Sequence, residues 1–365
     1  MKTMQLVPAM EQGGVERGVV EVNRAIVAAG WENVVVSAGG RLSGQIERDG
    51  GRHICLDVKS KNPFTFFSRA AKLRRLLEAE RPDVVCVHSR VPAWLFFRAN
   101  RKLGVKWITF AHGANSVSAY SRVMTFGDLT VTPSRYIADY LKKHYCIDEE
   151  RLRVIPRAID PGKFDVSRLD REFIEAKRKD WSLPGSFVVM GLGRITQLKG
   201  YDTLIRAVAL LPPRFKLVIV GEAEELRKDV ERSLHSLASE LGVSDRVVFA
   251  GNQSKVAECL SLADVVVSSN TRKPEAFGRS MAEALAMGRP VVAKAFGGAL
   301  DVVRDGKDGV LVKADGTAPV EREFADAIAK VAQMKFGDLR AGALERFNFD
   351  IMLERSLAVY REITA

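Results

Sequence analysis

The chain has 365 residues, 47% of them hydrophobic, with 56 Lys and Arg against 45 Asp and Glu for a formal net charge of +11. That length exceeds one ordinary core and fits two domains of about 150–180 residues each, while the apolar fraction excludes a disordered chain. No run approaches ~18 uncharged apolar residues, so no spanning helix is expected, and Met1–Met10 does not read as a secretory leader.

The N-terminal half alternates apolar runs with helical patterns. A strand is predicted over Met4–Val7, then the pair Gly13-Gly14 and a helix over Val15–Ala29. Strands follow at Val34–Ser37 and Val84–Val87, a helix at Pro92–Leu103, strands at Lys106–Phe110 and Leu129–Thr132, and a helix at Ser134–His144 with Ser134 as its N-cap. Strands that are apolar throughout suit a parallel sheet covered on both faces. Residues 161–185 break the rhythm with Pro161-Gly162, a charged stretch and Pro184-Gly185, and read as a connection between domains.

The rhythm restarts with strand Phe187–Met190, helix Tyr201–Leu211, strand Lys216–Val220 and a long charged helix over Glu224–Leu241. Strand Arg246–Phe249, helix Lys255–Leu262, strand Val265–Ser268, helix Gly278–Met287 and strand Val291–Ala293 complete it. The pattern predicts an α/β chain of two doubly wound, Rossmann-like domains facing each other across a cleft. They are residues 1–165 and 182–346, with a C-terminal helix, 347–365, packing back on the first. Ligands of such sheets sit beyond the carboxyl ends of the strands, so the strand-to-helix loops hold the candidate sites.

Four candidates carry chemistry. Gly193 and Arg194 follow one strand, and Lys199 stands on the same loop just before a helix. Two cations at a helix N-terminus suit a diphosphate, but a pair of surface cations is an equal reading from position alone. Glu275 and Glu283 are eight residues apart around Ala276, Phe277 and Gly278, whose backbone N–H groups open a helix. Carboxylates accept hydrogen bonds from vicinal hydroxyls, and helix-start N–H groups favour phosphate oxygens. Gln12-Gly13-Gly14-Val15-Glu16-Arg17 offers a glycine turn before a helix. His88, in His88-Ser89-Arg90, and His112 each end a strand. No metal-ligand spacing and no C-x-x-C pair occur; the four separated cysteines suit a reducing compartment.

These segments, from Gly13-Gly14-Val15-Glu16 through Arg194, Lys199, Glu275, Glu283 and Gly297-Gly298 to Asp308-Gly309-Val310, together resemble glycosyltransferase family 4, retaining enzymes of the GT-B fold. The resemblance implies a metal-independent, cofactor-free transfer of a hexose-type sugar from a UDP- or GDP-sugar to a saccharide or glycolipid acceptor in lipopolysaccharide or envelope polysaccharide synthesis. Arg194 and Lys199 would hold the donor diphosphate, Glu275 the sugar hydroxyls and Glu283 the ribose. Gly13, Gly14, Gly193, Ala276, Phe277 and Gly278 would complete the donor site, with His112 against the donor sugar. His112, Arg194, Lys199 and Glu275 would form the catalytic set, and Glu16, Arg17, His88 and Arg90 the acceptor contacts. Arg157 departs from the Asn-Gly the family often carries at its position, which bears on local hinge geometry.

The charge is uneven: residues 1–160 carry 25 Lys and Arg against 16 Asp and Glu, the remainder 31 against 29. Residues 59–81 hold seven of those cations and Phe64, Phe66 and Phe67, a pattern for an anionic membrane surface or simply for a helix packed by Leu73, Leu76 and Leu77. A cytoplasmic enzyme, peripheral on the inner membrane face, is the expectation. A nucleotide-sugar epimerase of the same fold, a phosphorylase or a non-enzymatic polyanion-binding protein are the competing readings, and no nucleic-acid recognition motif is present.

Overall fold

The computed structural model describes residues 1–11 and 13–365. Its internal contacts divide it into two units, residues 1–157 with 350–365 and residues 158–349.

In the first unit β1 (Lys2–Leu6) leads through α1 (Gly14–Ala28) to β2 (Glu32–Ser37), then α2 (Ser43–Arg48) and β3 (Arg52–Cys55). Next come α3 (Phe66–Glu80), β4 (Val84–Val87), α4 (Arg90–Asn100), β5 (Lys106–Phe110), β6 (Leu129–Thr132), α5 (Arg135–Tyr145) and β7 (Leu152–Val154). The seven strands form one sheet in the order β3-β2-β1-β4-β5-β6-β7, and every pairing is parallel. The central strand β4 is buried along its whole length, which is why it is an unbroken Val-Val-Cys-Val. Ser134 caps α5 as expected, its hydroxyl accepting from the Ile137 N–H.

The second unit carries α6 (Arg171–Asp180), β8 (Phe187–Leu192), α7 (Tyr201–Ala209), β9 (Phe215–Val220), α8 (Lys228–Glu240), β10 (Val247–Gly251) and α9 (Val256–Ser261). It continues with β11 (Val265–Ser268), α10 (Arg279–Ala286), β12 (Val291–Lys294), α11 (Ala299–Val302), β13 (Gly309–Val312), α12 (Val320–Val331) and α13 (Leu339–Arg346). Its six-stranded parallel sheet runs β10-β9-β8-β11-β12-β13. The last helix, α14 (Phe349–Thr364), lies from Asp350 onward with the first unit. There the Tyr360 ring is fully buried, Arg153 donates to the Glu362 carboxylate at 3.0 Å, and Arg361 lies over the Trp31 ring.

Three differences from the sequence reading have local causes. The boundary falls at 157/158 rather than 165, and the charged stretch expected to link the domains is folded into the second unit. Ile159, Phe164, Trp181 and Leu183 are buried in its core, and α6 lies along it. The strands β3 and β7 escape the hydrophobic pattern because β3 is a half-exposed edge strand, Arg-His-Ile-Cys, and β7 has three residues. The long charged helix starts at Lys228, after a separate 3-10 turn over Glu225–Arg227.

Topology now singles out four loops. Strand order reverses between β1 and β4 in one sheet and between β8 and β11 in the other. The loops leaving these strands at their carboxyl ends hold Gly13-Gly14 and Ser89-Arg90 in the first unit, and Gly193–Lys199 and Asn270–Gly278 in the second. In open parallel sheets, ligands bind at such reversals, beyond the carboxyl ends of the strands.

Candidate active site

In the second unit, Arg194, Lys199 and Glu275 line one cavity of about 390 Å³. The Lys199 Nζ donates to Glu275 Oε1 at 2.6 Å, and both side chains are about two-thirds buried, at 30% and 28% exposure. Arg194 is exposed and pairs with Glu224 at 2.5 Å. Glu224, Arg227, Asn270 and Lys273 line the same cavity and were not singled out by sequence, since they stand within charged runs. Arg194, Lys199, Arg227 and Lys273 give it four cations against the carboxylates of Glu224 and Glu275. That balance leaves room for an anion of two charges to be neutralised.

The backbone sets this geometry. Gly193 N–H donates to Val220 O at 2.9 Å, and the Tyr201 hydroxyl donates to Gly193 O at 2.8 Å. Burial, and then the Glu275 charge, hold the Tyr201 phenol well above its ordinary range. Gly200 has φ +68°, and a Cβ there would sit 2.0 Å from Ser269 O, so no other residue fits between Lys199 and the β11 loop. The Ser269 hydroxyl ties the same two loops by donating to Lys199 O at 3.1 Å. The Glu275 carbonyl accepts from Gly298 N–H at 2.8 Å. Cβ atoms at Gly297 and Gly298 would lie 2.4 Å from Pro274 Cβ and 2.5 Å from Phe277 backbone, so this glycine turn presses directly on the Pro274–Phe277 segment. Phe277 itself is buried in the core, so only its backbone reaches the site; Gly278 caps α10 with φ +96°, and Ala276 and Glu283 are half-buried.

In the first unit, Gly13 caps α1 in an extended conformation, and Gly14 faces open space. The Glu16 carboxylate folds back over Gly13, so an anion approaching this turn has to displace it; Arg17 is exposed, and Gln12 lies outside the described residues. Behind this turn runs a chain of hydrogen bonds that spacing alone does not reveal. The Arg157 guanidinium donates to His112 Nδ1 at 2.5 Å. An arginine only donates, so the His112 proton is on Nε2, from which it reaches His88 Nδ1 at 3.0 Å. The His88 Nε2–H then donates to Gln5 Oε1 at 3.1 Å. Burial, then the Arg157 charge, push the His88 imidazole down to about 3, and the same causes with His88 added hold His112 far below its ordinary value. Both rings are neutral, stacked at 5.2 Å, and His88 also lies on Phe110.

This corrects two expectations. His88 is buried, 7% exposed, with both ring nitrogens engaged inside the unit, so it cannot bond an acceptor. Both ring nitrogens of His112 are engaged as well, so it offers a substrate a ring edge rather than a proton. Arg157, read from sequence as bearing on local hinge geometry, is the last residue before the unit boundary and also fixes both tautomers through its bond to His112. Arg90 donates to the Ser121 hydroxyl at 3.0 Å and lies over the Tyr120 ring, 5.4 Å from its centroid. Among the described residues no group of three or more His, Cys, Asp or Glu is placed to hold a metal ion.

Comparison with known proteins accounts for both halves. Residues 12–163 match the family described as Glycosyltransferase Family 4, and residues 173–341 that described as Glycosyl transferases group 1. The chain is 34% identical over 256 residues to a D-inositol 3-phosphate glycosyltransferase of Stackebrandtia nassauensis, covering 66% of this chain and 55% of that protein. It is 33% identical over 302 residues to the same-named protein of Xylanimonas cellulosilytica, covering 79% of this chain and 69% of that protein. The chain belongs to the family 4 glycosyltransferases.

Other likenesses of this glycosyltransferase are shorter or structural. Its identity to the lipopolysaccharide core biosynthesis glycosyltransferase LpsE of Rhizobium meliloti is 41% over 143 residues, 38% of this chain and 40% of that one. The crystal structure of a Rickettsia africae glycosyltransferase superposes with a TM-score of 0.89 at 26% identity, covering 99% and 98% of the two chains. Anabaena HepE, solved with UDP and glucose, superposes with a TM-score of 0.81 at 22% identity over 99% of both chains and shares the fold. The chain thus spans little more than half of the first of its curated relatives. In this glycosyltransferase the group 1 match contains Arg194, Lys199, Glu275 and Glu283, and the family 4 match contains the Gly13-Gly14 turn and the Arg157–His112–His88 chain.

Proposed function

We propose that this glycosyltransferase moves a hexose-type sugar, with retention, from a UDP- or GDP-sugar to a saccharide or glycolipid acceptor of lipopolysaccharide or another envelope polysaccharide. The observation that carries the donor half is the cavity at the β8/β11 reversal, where Lys199 and Glu275 are paired and Arg194 stands beside them. The HepE complex with UDP and glucose supports a nucleotide-sugar in this fold, and the LpsE likeness supports the envelope acceptor.

In the proposed reaction the acceptor oxygen attacks the anomeric carbon on the face from which the diphosphate departs. The bond from that carbon to the phosphate oxygen breaks as the new glycosidic bond forms. The acceptor proton passes to an oxygen of the leaving nucleotide, so no protein base is required. Lys199 and Arg194 stabilise the charge that gathers on the diphosphate, the electrostatic term that dominates such steps. Glu275 exchanges its contact with Lys199 for the sugar hydroxyls when the donor enters. The chemistry needs neither metal nor cofactor, and the setting is the cytoplasmic face of the membrane.

A second acceptor class has its own support: relatives that align over most of this chain are named for inositol 3-phosphate. A thermal-shift series with UDP-, GDP- and ADP-sugars tests the donor, because a ligand bound to the native state alone raises stability with its occupancy. One nucleotide series is expected to raise the melting temperature and to be turned over in the presence of acceptor. Conversion of donor to an isomeric nucleotide-sugar without acceptor would favour the epimerase, and no response to any nucleotide would overturn the assignment.

A further inference from the structure

A cavity of about 710 Å³ lies in the first unit, with Arg90 and Tyr120 in its lining. It opens between the start of α3 and the start of α4. Phe66, Phe67, Trp94 and Tyr120 wall it, and Lys61 and Arg90 bring positive charge to it. No carboxylate lines it.

Each wall has a structural reason. Trp94 Nε1 donates to Tyr120 O at 2.9 Å, which locks the two rings into a stack with centroids 6.4 Å apart. Arg90 lies over the Tyr120 ring and bonds Ser121, which aims its guanidinium along the same wall. Phe66 and Phe67 meet edge to face at 5.5 Å. The polar groups of the intervening loop are consumed by the loop itself. Asp57 Oδ1 accepts from the Lys59 and Ser60 N–H groups, Ser60 Oγ from Asn62, and Asn62 Oδ1 from Phe64. Arg69, one of the seven cations of this segment, is buried and caps carbonyls of the same loop rather than facing outward. What the cavity offers a ligand is therefore carbon and two cations, with few free hydrogen-bonding groups for a bare sugar ring.

Around the mouth the surface stays apolar: Phe64 is 94% exposed and Phe67 66%. Exposed phenylalanines beside a deep aromatic cavity mark an interaction site, not a folding device. Lys59, Lys72 and Arg75 lie exposed on the same segment.

We propose that this cavity is the seat of a lipid-linked acceptor, holding the phosphate that joins an apolar chain to its first sugar. The phosphate meets Lys61 and Arg90, the chain lies on Phe66, Phe67 and Phe64, and the Trp94–Tyr120 stack takes the ring next to the phosphate. This rests on the glycosyltransferase reading and adds to it the class of acceptor. It also assigns the basic excess of this half to a lipid phosphate, not to a nucleic acid.

Calorimetric titration of the full chain with farnesyl phosphate, below its micelle concentration, tests the proposal against farnesol and inorganic phosphate. Saturable binding of farnesyl phosphate is expected, at least tenfold tighter than farnesol, with inorganic phosphate unable to compete at millimolar concentration. The double variant Lys61→Ala, Arg90→Ala, the first exposed and the second half-buried, should weaken that binding at least tenfold while UDP affinity stays within twofold. Farnesol binding as tightly as farnesyl phosphate, an unchanged double variant, or a dimer that buries Phe64 and Phe67 would each overturn the assignment. A chain that binds UDP but not farnesyl phosphate loses this inference alone; one that binds farnesyl phosphate but no nucleotide loses the donor reading and keeps the cavity.

Discussion

Replacing Lys199 by Met keeps the aliphatic stem and removes one charge. In the structure that charge sits 2.6 Å from Glu275 in a cavity whose walls leave it about 30% exposed. Two unit charges about 4 Å apart interact by roughly 4 kcal/mol at an effective dielectric of about 20. Loss of one preorganised donor to developing charge costs about 2.7–4 kcal/mol in comparable sites. At about 1.4 kcal/mol per decade, turnover should fall about 10²- to 10³-fold. Stability should move far less. A partly exposed pair is worth about 1 kcal/mol or less, and for a unit of this size that is about 2–4 °C in Tm. The assay is the initial rate of nucleoside diphosphate release from the best-stabilising nucleotide-sugar, run beside thermal melts of both proteins. A Lys199→Met protein that melts within a few degrees of the parent and turns over within threefold of it would refute the role given to Lys199. A melt lowered by tens of degrees would refute the claim that the residue acts locally.

Three other outcomes follow from the geometry. His88 is held neutral down to about 3 against an ordinary value near 6.5, so the unfolded chain takes up the proton first. Its contribution to stability is fully present above about pH 6.5 and is lost as pH falls, at about 1.4 kcal/mol per pH unit; His112 adds in the same direction. Urea titrations between pH 4.5 and 6 should show a shallower pH slope for His88→Gln, and an equal slope would contradict the neutral chain. Asp308 is fully buried, with Arg304 donating at 2.7 and 2.9 Å and Arg346 at 2.8 Å; burial alone would raise its carboxyl, yet these bonds hold it below the ordinary range. Asp308→Asn should cost about 3 kcal/mol, about 6–12 °C in Tm, measurable by calorimetry. Gly200→Ala places a Cβ 2.0 Å from Ser269 O at φ +68° and should both destabilise the second unit and lower nucleotide affinity, read in one thermal-shift titration; affinity retained at full strength would argue that the two loops adjust independently.

Where function was legible in the sequence, it was because the residues stand just past apolar strands. Arg194 and Lys199 follow β8, Glu275 follows β11, and the sheet order places those strands side by side. Local pattern plus the rule for parallel sheets was enough. Arg157 was not legible in the same way. Its bond to His112 spans 45 residues, and nothing about an arginine after β7 indicates that a histidine waits at the end of β5. Arg69 misled for the opposite reason: a buried cation that caps carbonyls looks, in sequence, no different from the other cations of the same basic segment. Histidines were ambiguous too, since strand-end position places a ring but does not say whether its nitrogens are already occupied. The boundary near 157 was blurred by charge, because α6 rests only the half-buried Phe173 and Ile174 on the core and exposes most of the rest.

The turn at Gly297-Gly298 has a consequence for how this enzyme family member can change. Its backbone lies so close to Pro274 and Phe277 that side chains on either glycine would meet the neighbouring segment. The two segments are therefore one casting, with no slack to widen or narrow the site by shifting main chain. A new donor preference would have to arise by exchanging side chains on a fixed mould, at positions such as Lys273 or Asn270. An inhibitor shaped to that mould should meet the same contour in the empty and the occupied protein.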